Sequence, residues 1–210
     1  MIVIDKSTWP RREIFDFFGS VADPFYMAAF NVDVTSLYRF AKAHGLSFYH
    51  SLIWLCTRAV NDIEAFRYAA LSEDDIRLYE SRRPSFTHLD RGSELFKIIT
   101  LPFDAGMESF CRQAGEKARN AEAFIDTGAE GGDLIYFSCL PWVDLTALTN
   151  ERDTGSSRLD SIPRIAWGKY VFDGERVKLN ISLEVNHRFI DGVHIGRFAE
   201  RLTELIESLE

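Results

Sequence analysis

One stretch of the chain restricts its fold more than any other: an alternating segment that runs directly into a polar turn. Residues 177–185 place apolar side chains at every second position, namely Val177, Leu179, Ile181, Leu183 and Val185. Alternation with a period of two predicts a β-strand that buries one face against a core. It is followed at once by Asn186-His187-Arg188-Phe189-Ile190-Asp191-Gly192-Val193-His194. We therefore expect these side chains at the rim of a sheet, where ligands can reach them.

The rest of the hydrophobic pattern mixes helices and strands. Apolar residues on one face predict a C-terminal helix with Ile195, Phe198, Leu202, Leu205, Ile206 and Leu209. Further helices are expected at 10–18, with Thr8 as its cap, and at 35–44, 48–62 and 107–121. Strands are expected at 25–34, near Phe66, and at 76–79, 85–89, 96–101, 134–138, 162–172 and 176–185. Asp173-Gly174 is a hairpin signal, and residues 149–160 form a polar loop.

The order of these elements predicts the fold class. Helices and strands do not alternate regularly, which favours an α+β fold over a parallel α/β fold. The expected architecture is a two-layer sandwich in which helices cover a large mixed β-sheet. Because no repeat or long linker interrupts the 210 residues, we expect one domain spanning residues 1–210.

Charge and hydropathy restrict location and partners. No run approaches the roughly 18–20 apolar residues that cross a membrane, so no membrane partner is expected. The N-terminus lacks a basic stretch followed by a long apolar region, and this predicts a cytoplasmic protein without a signal peptide. The net charge of −8 argues against nucleic acid as a partner.

The three cysteines are Cys56, Cys111 and Cys139. Their odd number and wide spacing argue against a disulfide framework and a zinc site, so no metal is expected. Cys56 and Cys111 fall in apolar helical patterns and are interpreted as core residues.

His187 is the candidate catalytic residue on chemical grounds. An imidazole with an ordinary pKa near 6.5 can accept a proton near neutral pH. The spacing His-x-x-x-Asp-Gly fixes only three positions, however, so the residues alone are equally compatible with a histidine that satisfies a turn. Both interpretations stay open at this level.

Four segments together resemble the chloramphenicol acetyltransferase family. Residues 186–194 are similar to its HHxxxDGxH signature. Trp9-Pro10-Arg11-Arg12-Glu13 with Phe15 resembles W-x-R-[RK]-E-x-F, and Ser138-Cys139-Leu140-Pro141-Trp142-Val143 resembles S-x-x-P-W-[VI]. Gly168-Lys169-Tyr170 resembles a [GA]-K-Y strand, with weaker similarity at Phe48-Tyr49 and Phe86-Thr87. The matches keep the family's order and span nearly the whole chain.

This resemblance implies direct acetyl transfer from acetyl-CoA to a hydroxyl of chloramphenicol or a related small molecule, and hence antibiotic resistance. His187 corresponds to the general base. Ser138 corresponds to the serine that donates to the developing oxyanion. The family members are homotrimers with active sites between subunits, so the same assembly is implied here.

The resemblance also assigns supporting roles. Asp191 corresponds to a structural aspartate paired with an arginine that matches Arg11, and His194 to a supporting histidine. Lys169, Tyr170 and Tyr49 correspond to residues at the coenzyme-A site.

Several positions depart from the family pattern. Asn186 replaces the first histidine of the doublet, Phe18 stands where an acceptor-binding tyrosine is usual, and Ala166 replaces a threonine. Ser47 replaces a basic residue, whereas Phe96 keeps an aromatic expected in the acceptor pocket. Because polar groups discriminate strongly between substrates, we expect weak activity on chloramphenicol or a different hydroxylated acceptor.

Two other functions are compatible with parts of the sequence. The segment from His187 to Gly192 also resembles the catalytic core of dihydrolipoyl acyltransferases, which share the base but acetylate a thiol. The second alternative is a trimeric protein that binds a hydrophobic ligand without catalysing a reaction. The retention of both His187 and Ser138 disfavours such a binding protein.

Overall fold

A mixed β-sheet forms the centre of the fold in the computed structural model, which describes residues 1–153, 155 and 158–209. Across these residues the strands are β1 (Ile2–Ile4), β2 (Phe25–Asp33), β3 (Tyr68–Ala70), β4 (Ile76–Leu78), β5 (Arg83–Leu89), β6 (Phe96–Thr100), β7 (Leu134–Cys139), β8 (Arg164–Trp167), β9 (Val171–Asp173) and β10 (Arg176–Asn186). The helices are α1 (Arg12–Gly19), α2 (Thr35–Ala43), α3 (Phe48–Asn61), α4 (Met107–Asn120) and α5 (Gly192–Glu207).

The main sheet has the strand order β2-β10-β8-β7-β5-β6, and β9 also pairs with β10. The β5–β7 and β7–β8 pairs are parallel, whereas the other pairs are antiparallel. The alternating apolar residues of β10 are buried, and α2 to α5 contact strands of this sheet. The α+β class and the helix-covered mixed sheet are thus confirmed.

A second, three-stranded sheet has the order β1-β4-β3. Strand β1 was not expected from the sequence because its apolar stretch is very short. The strand expected near Phe66 was placed too early. Phe66 lies in a short 3-10 helix, Glu64–Arg67, where its amide donates to Ile63 O at 3.1 Å. The strand begins only at Tyr68.

The first helix begins later than predicted, and Thr8 does not cap it. Its N-terminal cap position is Arg11. Thr8 instead belongs to a turn held by Asp5, whose backbone oxygen accepts from Thr8 N at 3.2 Å and from Thr8 Oγ1 at 3.2 Å. This turn places Arg11 just ahead of the helix.

The single strand predicted at 162–172 is broken in two, and Gly168-Lys169-Tyr170 is not a strand. Trp167 pairs with Ile181, but Val171 pairs with Lys178, so β8 and β9 use one residue more than β10 over this interval. Such a difference defines a bulge. The cause is a long-range contact, because Lys169 N donates to Val143 O at 2.7 Å. Gly168 allows the close approach, since a Cβ there would lie 2.3 Å from Val143 O.

Cys56 and Cys111 are buried and unpaired with other cysteines, as expected for core residues. Within the described part of the chain, every helix is too short or too polar to span a membrane.

Candidate active site

The turn from His187 to Asp191, called the His187 turn below, connects β10 to α5. Its backbone is fixed at both ends. His187 N donates to Pro24 O at 2.8 Å, which ties the turn to the residue before β2. The amides of Phe189 and Ile190 both donate to Asn186 O at 3.0 Å. Local hydrogen bonds therefore determine where the imidazole is presented.

Arg11 holds the same turn from outside. Its Nη1 lies 2.6 Å from Asp191 Oδ2, and its Nη2 lies 2.7 Å from Asp191 Oδ1. Its Nη2 also donates to His187 O at 2.9 Å, and its Nε donates to Arg188 O at 2.7 Å. The ion pair implied by the family resemblance is present. The Arg11 guanidinium lowers the pKa of Asp191 below its ordinary value.

The His187 imidazole lies between two aromatic rings. Its ring centroid is 4.0 Å from that of Phe18, at an interplanar angle of 13°, and 4.6 Å from that of Tyr26, at 35°. About a third of the side chain, 34%, is exposed. Nδ1 is buried without a hydrogen-bond partner among the described residues, although Asp191 Oδ1 is 3.3 Å away. Because both carboxylate oxygens of Asp191 are bound to Arg11, the geometry is that of a scaffold, not a proton relay.

Two further side chains support the turn. Asn186 is buried; its Oδ1 accepts from Arg188 N at 2.9 Å, and its Nδ2 donates to Asp160 O at 2.9 Å. His194 Nδ1 accepts from Asp191 N at 2.9 Å, which satisfies the free amide at the start of α5. Burial lowers the pKa of His194, in keeping with a neutral ring that accepts this hydrogen bond.

The predicted residues Ser138, Phe96 and Ala166 lie on other strands of the sheet, away from the His187 turn. Ser138 is partly exposed on β7, and its partner on β8 is Ala166. Phe96 lies on edge strand β6, 46% exposed, and packs against Phe124 with ring centroids 5.3 Å apart. Ala166 is fully buried, so its expected contact with an acceptor gains no support from the single chain.

A cavity of about 630 Å³ opens beside Cys139, the residue that follows Ser138. It is lined mainly by aromatic side chains together with the bulge described above: Phe48, Tyr49, Cys139, Pro141, Trp167, Gly168, Lys169, Tyr170, Val171 and Phe172. Tyr49 donates its hydroxyl to Thr87 O at 2.8 Å. Lys169 is exposed at the bulge. The structure therefore brings Lys169, Tyr170 and Tyr49 together around one cavity.

Within one chain, Ser138 and His187 are far apart. Ser138 pairs with Ala166, and Ala166 pairs with Ser182, so Ser138 is level with Ser182 and two strands away. His187 lies five positions after Ser182. At about 3.3 Å per residue and about 4.8 Å between strands, the two residues are separated by roughly 15–20 Å. One chain cannot bring both side chains to one reacting group.

Sequence reasoning overlooked Arg188, although it directly follows His187. Its side chain is completely buried and binds Glu73, which is 115 residues away. The available signal was weak: a charged residue directly before the apolar pair Phe189-Ile190, in the turn that follows a buried strand. The role of Ser47 was also missed, since its hydroxyl caps α3 by accepting from His50 N at 3.3 Å.

The fold is that of the coenzyme-A-dependent acyltransferases. A solved chloramphenicol acetyltransferase matches with a TM-score of 0.85 at 23% identity, over 98% of this chain and 99% of that one. The dihydrolipoamide acetyltransferase of Azotobacter vinelandii matches with a TM-score of 0.69 at 19% identity, over 90% and 84%.

Sequence comparison defines the family. The profile of the chloramphenicol acetyltransferase family matches residues 1–203. A Clostridium perfringens chloramphenicol acetyltransferase is 28% identical over 99% of this chain and 95% of its own length. Chloramphenicol acetyltransferase 3 of Escherichia coli is 27% identical over 97% and 96%. The chain belongs to the chloramphenicol acetyltransferase family and so to the acyltransferases, and the dihydrolipoyl alternative is not favoured.

Proposed function

We propose that the protein transfers an acetyl group from acetyl-CoA to a hydroxyl of chloramphenicol or a related small molecule, directly and with His187 as general base. The observation that carries this proposal is the His187 turn. A partly exposed imidazole stands on a backbone fixed by Pro24 and Arg11. A residue that merely filled a turn would not need its ring held between Phe18 and Tyr26.

His187 acts through the nitrogen that faces outward. Nδ1 is enclosed, so Nε2 is the nitrogen left to accept a proton from the acceptor hydroxyl. As the hydroxyl oxygen attacks the thioester carbon, its proton passes to Nε2. The carbon–sulfur bond then breaks, Nε2 returns the proton to the sulfur, and the coenzyme leaves as the thiol. General base catalysis of this kind contributes on the order of 10² to 10⁴-fold.

Ser138 is proposed to donate a hydrogen bond to the carbonyl oxygen on which negative charge develops. Because Ser138 and His187 are roughly 15–20 Å apart within a chain, the two are proposed to come from different subunits. A closed homotrimer, in which each chain contributes residues 1–210 as one domain, supplies equivalent sites at its interfaces. Loss of such a donor typically costs roughly 3–4 kcal/mol in transition-state stabilisation.

The cavity beside Cys139 suits the arm of coenzyme A. Its volume of about 630 Å³ and its aromatic lining are typical of a ligand pocket. Tyr49 and Tyr170 would pack against the arm, and Lys169 offers a positive charge to a phosphate. When bound, acetyl-CoA supplies the activated acetyl group; the protein orients it and excludes water.

The acceptor site lacks two hydroxyls usual in the family, because Phe18 and Ala166 stand in place of tyrosine and threonine. Phe18 and Phe96 provide apolar contacts only. We therefore propose weak turnover of chloramphenicol, or a different preferred hydroxyl compound, in a cytoplasmic enzyme that can confer antibiotic resistance.

Steady-state kinetics with acetyl-CoA and a panel of hydroxylated acceptors tests the proposal. Wild type should acetylate at least one alcohol, and His187→Ala should lower kcat by about 10² to 10⁴-fold. His88→Ala serves as a control histidine, since His88 is partly exposed and faces Asp90, on a strand that does not contact the His187 turn. Equal rates for wild type and His187→Ala would overturn the assignment. Acetylation of dihydrolipoamide but of no alcohol would favour the thiol alternative, and no transfer at all would favour a binding protein.

A further inference from the structure

Arg188 has a completely buried side chain, and the proposed chemistry does not use it. Removing a guanidinium from water is costly unless its donors and its charge are satisfied. The surroundings of Arg188 are the segments that frame His187.

The guanidinium connects three segments to the His187 turn. Nε donates to Phe15 O at 3.0 Å, on α1. Nη1 donates to Arg158 O at 3.1 Å and to Glu73 Oε1 at 3.1 Å, and Nη2 binds the other oxygen of Glu73. Glu73 lies between β3 and β4, and its pKa is lowered by the hydrogen bonds from Arg188.

The contact with α1 is close on two sides. The guanidinium carbon lies 3.6 Å from the centre of the Phe15 ring. Gly19 leaves room at the end of the same helix, because a Cβ there would be 2.7 Å from Nη2. Helix α1 also carries Phe18, whose ring stacks on His187. A displacement of α1 would therefore change the environment of the imidazole directly.

Arg11 and Arg188 both connect the turn to α1, at different points of the helix. Arg11 lies outside the turn and binds the carbonyls of His187 and Arg188. Arg188 points into the protein and binds a carbonyl of the helix itself. We propose that Arg188 is a positioning residue for His187, with Glu73 as its counter-ion, and that the pair sets the Phe18–His187 stack.

This inference rests on the proposed function, because a misplaced imidazole matters to the rate only if His187 is the base. Arg188→Met should lower kcat by about 10- to 100-fold, as small misplacements of catalytic groups do. The KM for acetyl-CoA should stay within about twofold, since the residues that line the proposed coenzyme cavity do not include Arg188 or its hydrogen-bond partners. Arg188→Lys keeps the charge but cannot reach all three segments, and it should give an intermediate rate.

Glu73 provides the milder test. Its side chain is 55% exposed, so Glu73→Gln should fold, and it should lower kcat less than Arg188→Met does. Because the two residues act as one unit, the double variant should be no slower than Arg188→Met alone. Asp74→Asn is the matched control, since Asp74 lies on the same hairpin, is 94% exposed and only approaches Lys6.

An NMR readout separates this inference from the proposed function. With carbon-13 in the histidine Cε1 positions, the chain gives five resonances, and His187 is assigned by its loss in His187→Gln. The Phe18 ring current shifts this resonance. It should move in Glu73→Gln and Arg188→Met and stay in place in Asp74→Asn.

Unchanged kcat together with an unchanged His187 resonance in either folded variant would overturn the role of Arg188. If Arg188→Met does not fold, the same pair of measurements on Glu73→Gln decides the question. If the wild type acetylates nothing, the proposed function fails, while the resonance shift still tests the positioning.

Discussion

The imidazole of His187 and the ring of Phe18 lie face to face, with centroids 4.0 Å apart and planes inclined by 13°. Phe18 thereby fixes the plane of the imidazole. Its ring carries no hydroxyl that could form a hydrogen bond with a hydroxyl compound bound beside His187. Under the proposed mechanism, Phe18 therefore orients the base but does not help to recognise the hydroxyl compound.

Restoring a hydroxyl here should improve chloramphenicol as a substrate. Phe18→Tyr is expected to keep the stack and to raise kcat/KM for chloramphenicol by about 2- to 12-fold, the value of one neutral hydrogen bond of about 0.5–1.5 kcal/mol. Steady-state kinetics measures the change. Phe18→Leu, which loses the aromatic ring, should lower kcat. The prediction is wrong if the tyrosine variant is no better than wild type.

The Arg11–Asp191 pair should matter mainly for stability. Asp191→Asn leaves the partly buried Arg11 uncompensated, and we expect a loss of about 3 kcal/mol, at the lower end of the usual range because Asp191 keeps 28% of its side chain exposed. Urea unfolding measures this loss. Arg12→Gln is the control, since Arg12 is 55% exposed and 3.7 Å from Asp16. A loss no larger than that of Arg12→Gln would contradict the scaffold role.

The same pair predicts a pH dependence. The folded pKa of Asp191 lies below its ordinary value of 3.8, so its stabilisation is complete above that value and is lost as the pH falls through the folded pKa. The difference in unfolding free energy between wild type and Asp191→Asn should therefore be constant near neutrality and shrink below pH 3.8. A difference in unfolding free energy that grew on acidification would contradict this prediction.

His194 should make the stability of the protein depend on pH in a second, higher pH range. Its folded pKa is below its ordinary value of 6.5, so the stability from its neutral ring is present above pH 6.5 and is lost as the pH falls through the folded value. His194→Gln can still accept from Asp191 N and should remove this dependence at little cost. His194→Ala should cost about 1 kcal/mol, as loss of a cap does. Thermal unfolding between pH 5 and 8 compares the three proteins, and equal pH slopes would exclude the effect.

Mixed trimers test whether the site is shared. Ser138→Ala and His187→Ala are each expected to be nearly inactive. In a trimer with both kinds of chain, one of the three interfaces joins an intact His187 to an intact Ser138. Random mixing should therefore restore about a quarter of wild-type activity. Mixing two different His187 variants is the control and should restore none. The absence of recovery in verified mixed trimers would refute the shared site.

Local pattern was sufficient for the long elements. The apolar periodicity of α3 and the alternation of β10 are set by neighbours within the segment, and both elements end within one residue of the predicted limits. The break between β8 and β9 was not predictable in this way. It depends on Val143, which lies more than twenty positions earlier in the chain.

Side-chain partners show the same limit. Arg11 and Asp191 are 180 residues apart, and only the resemblance to a known family connected them before the structure did. Arg188 and Glu73 have no such precedent in the motifs, and their pairing follows from how α1 and the β3–β4 hairpin pack around the turn. A sequence motif can single out a residue such as Asp191. It does not show which residue, more than a hundred positions away in the chain, contacts it.

The register that places Ser138 level with Ser182 has a consequence for the behaviour of the protein in the cell. If Ser138 and His187 act from different subunits, as proposed, a single newly synthesised chain has no activity. Catalysis begins only after the chains assemble. Specific activity should therefore fall when the protein is diluted below the dissociation constant of the assembly. Expression level then determines the active fraction of the protein as well as its amount.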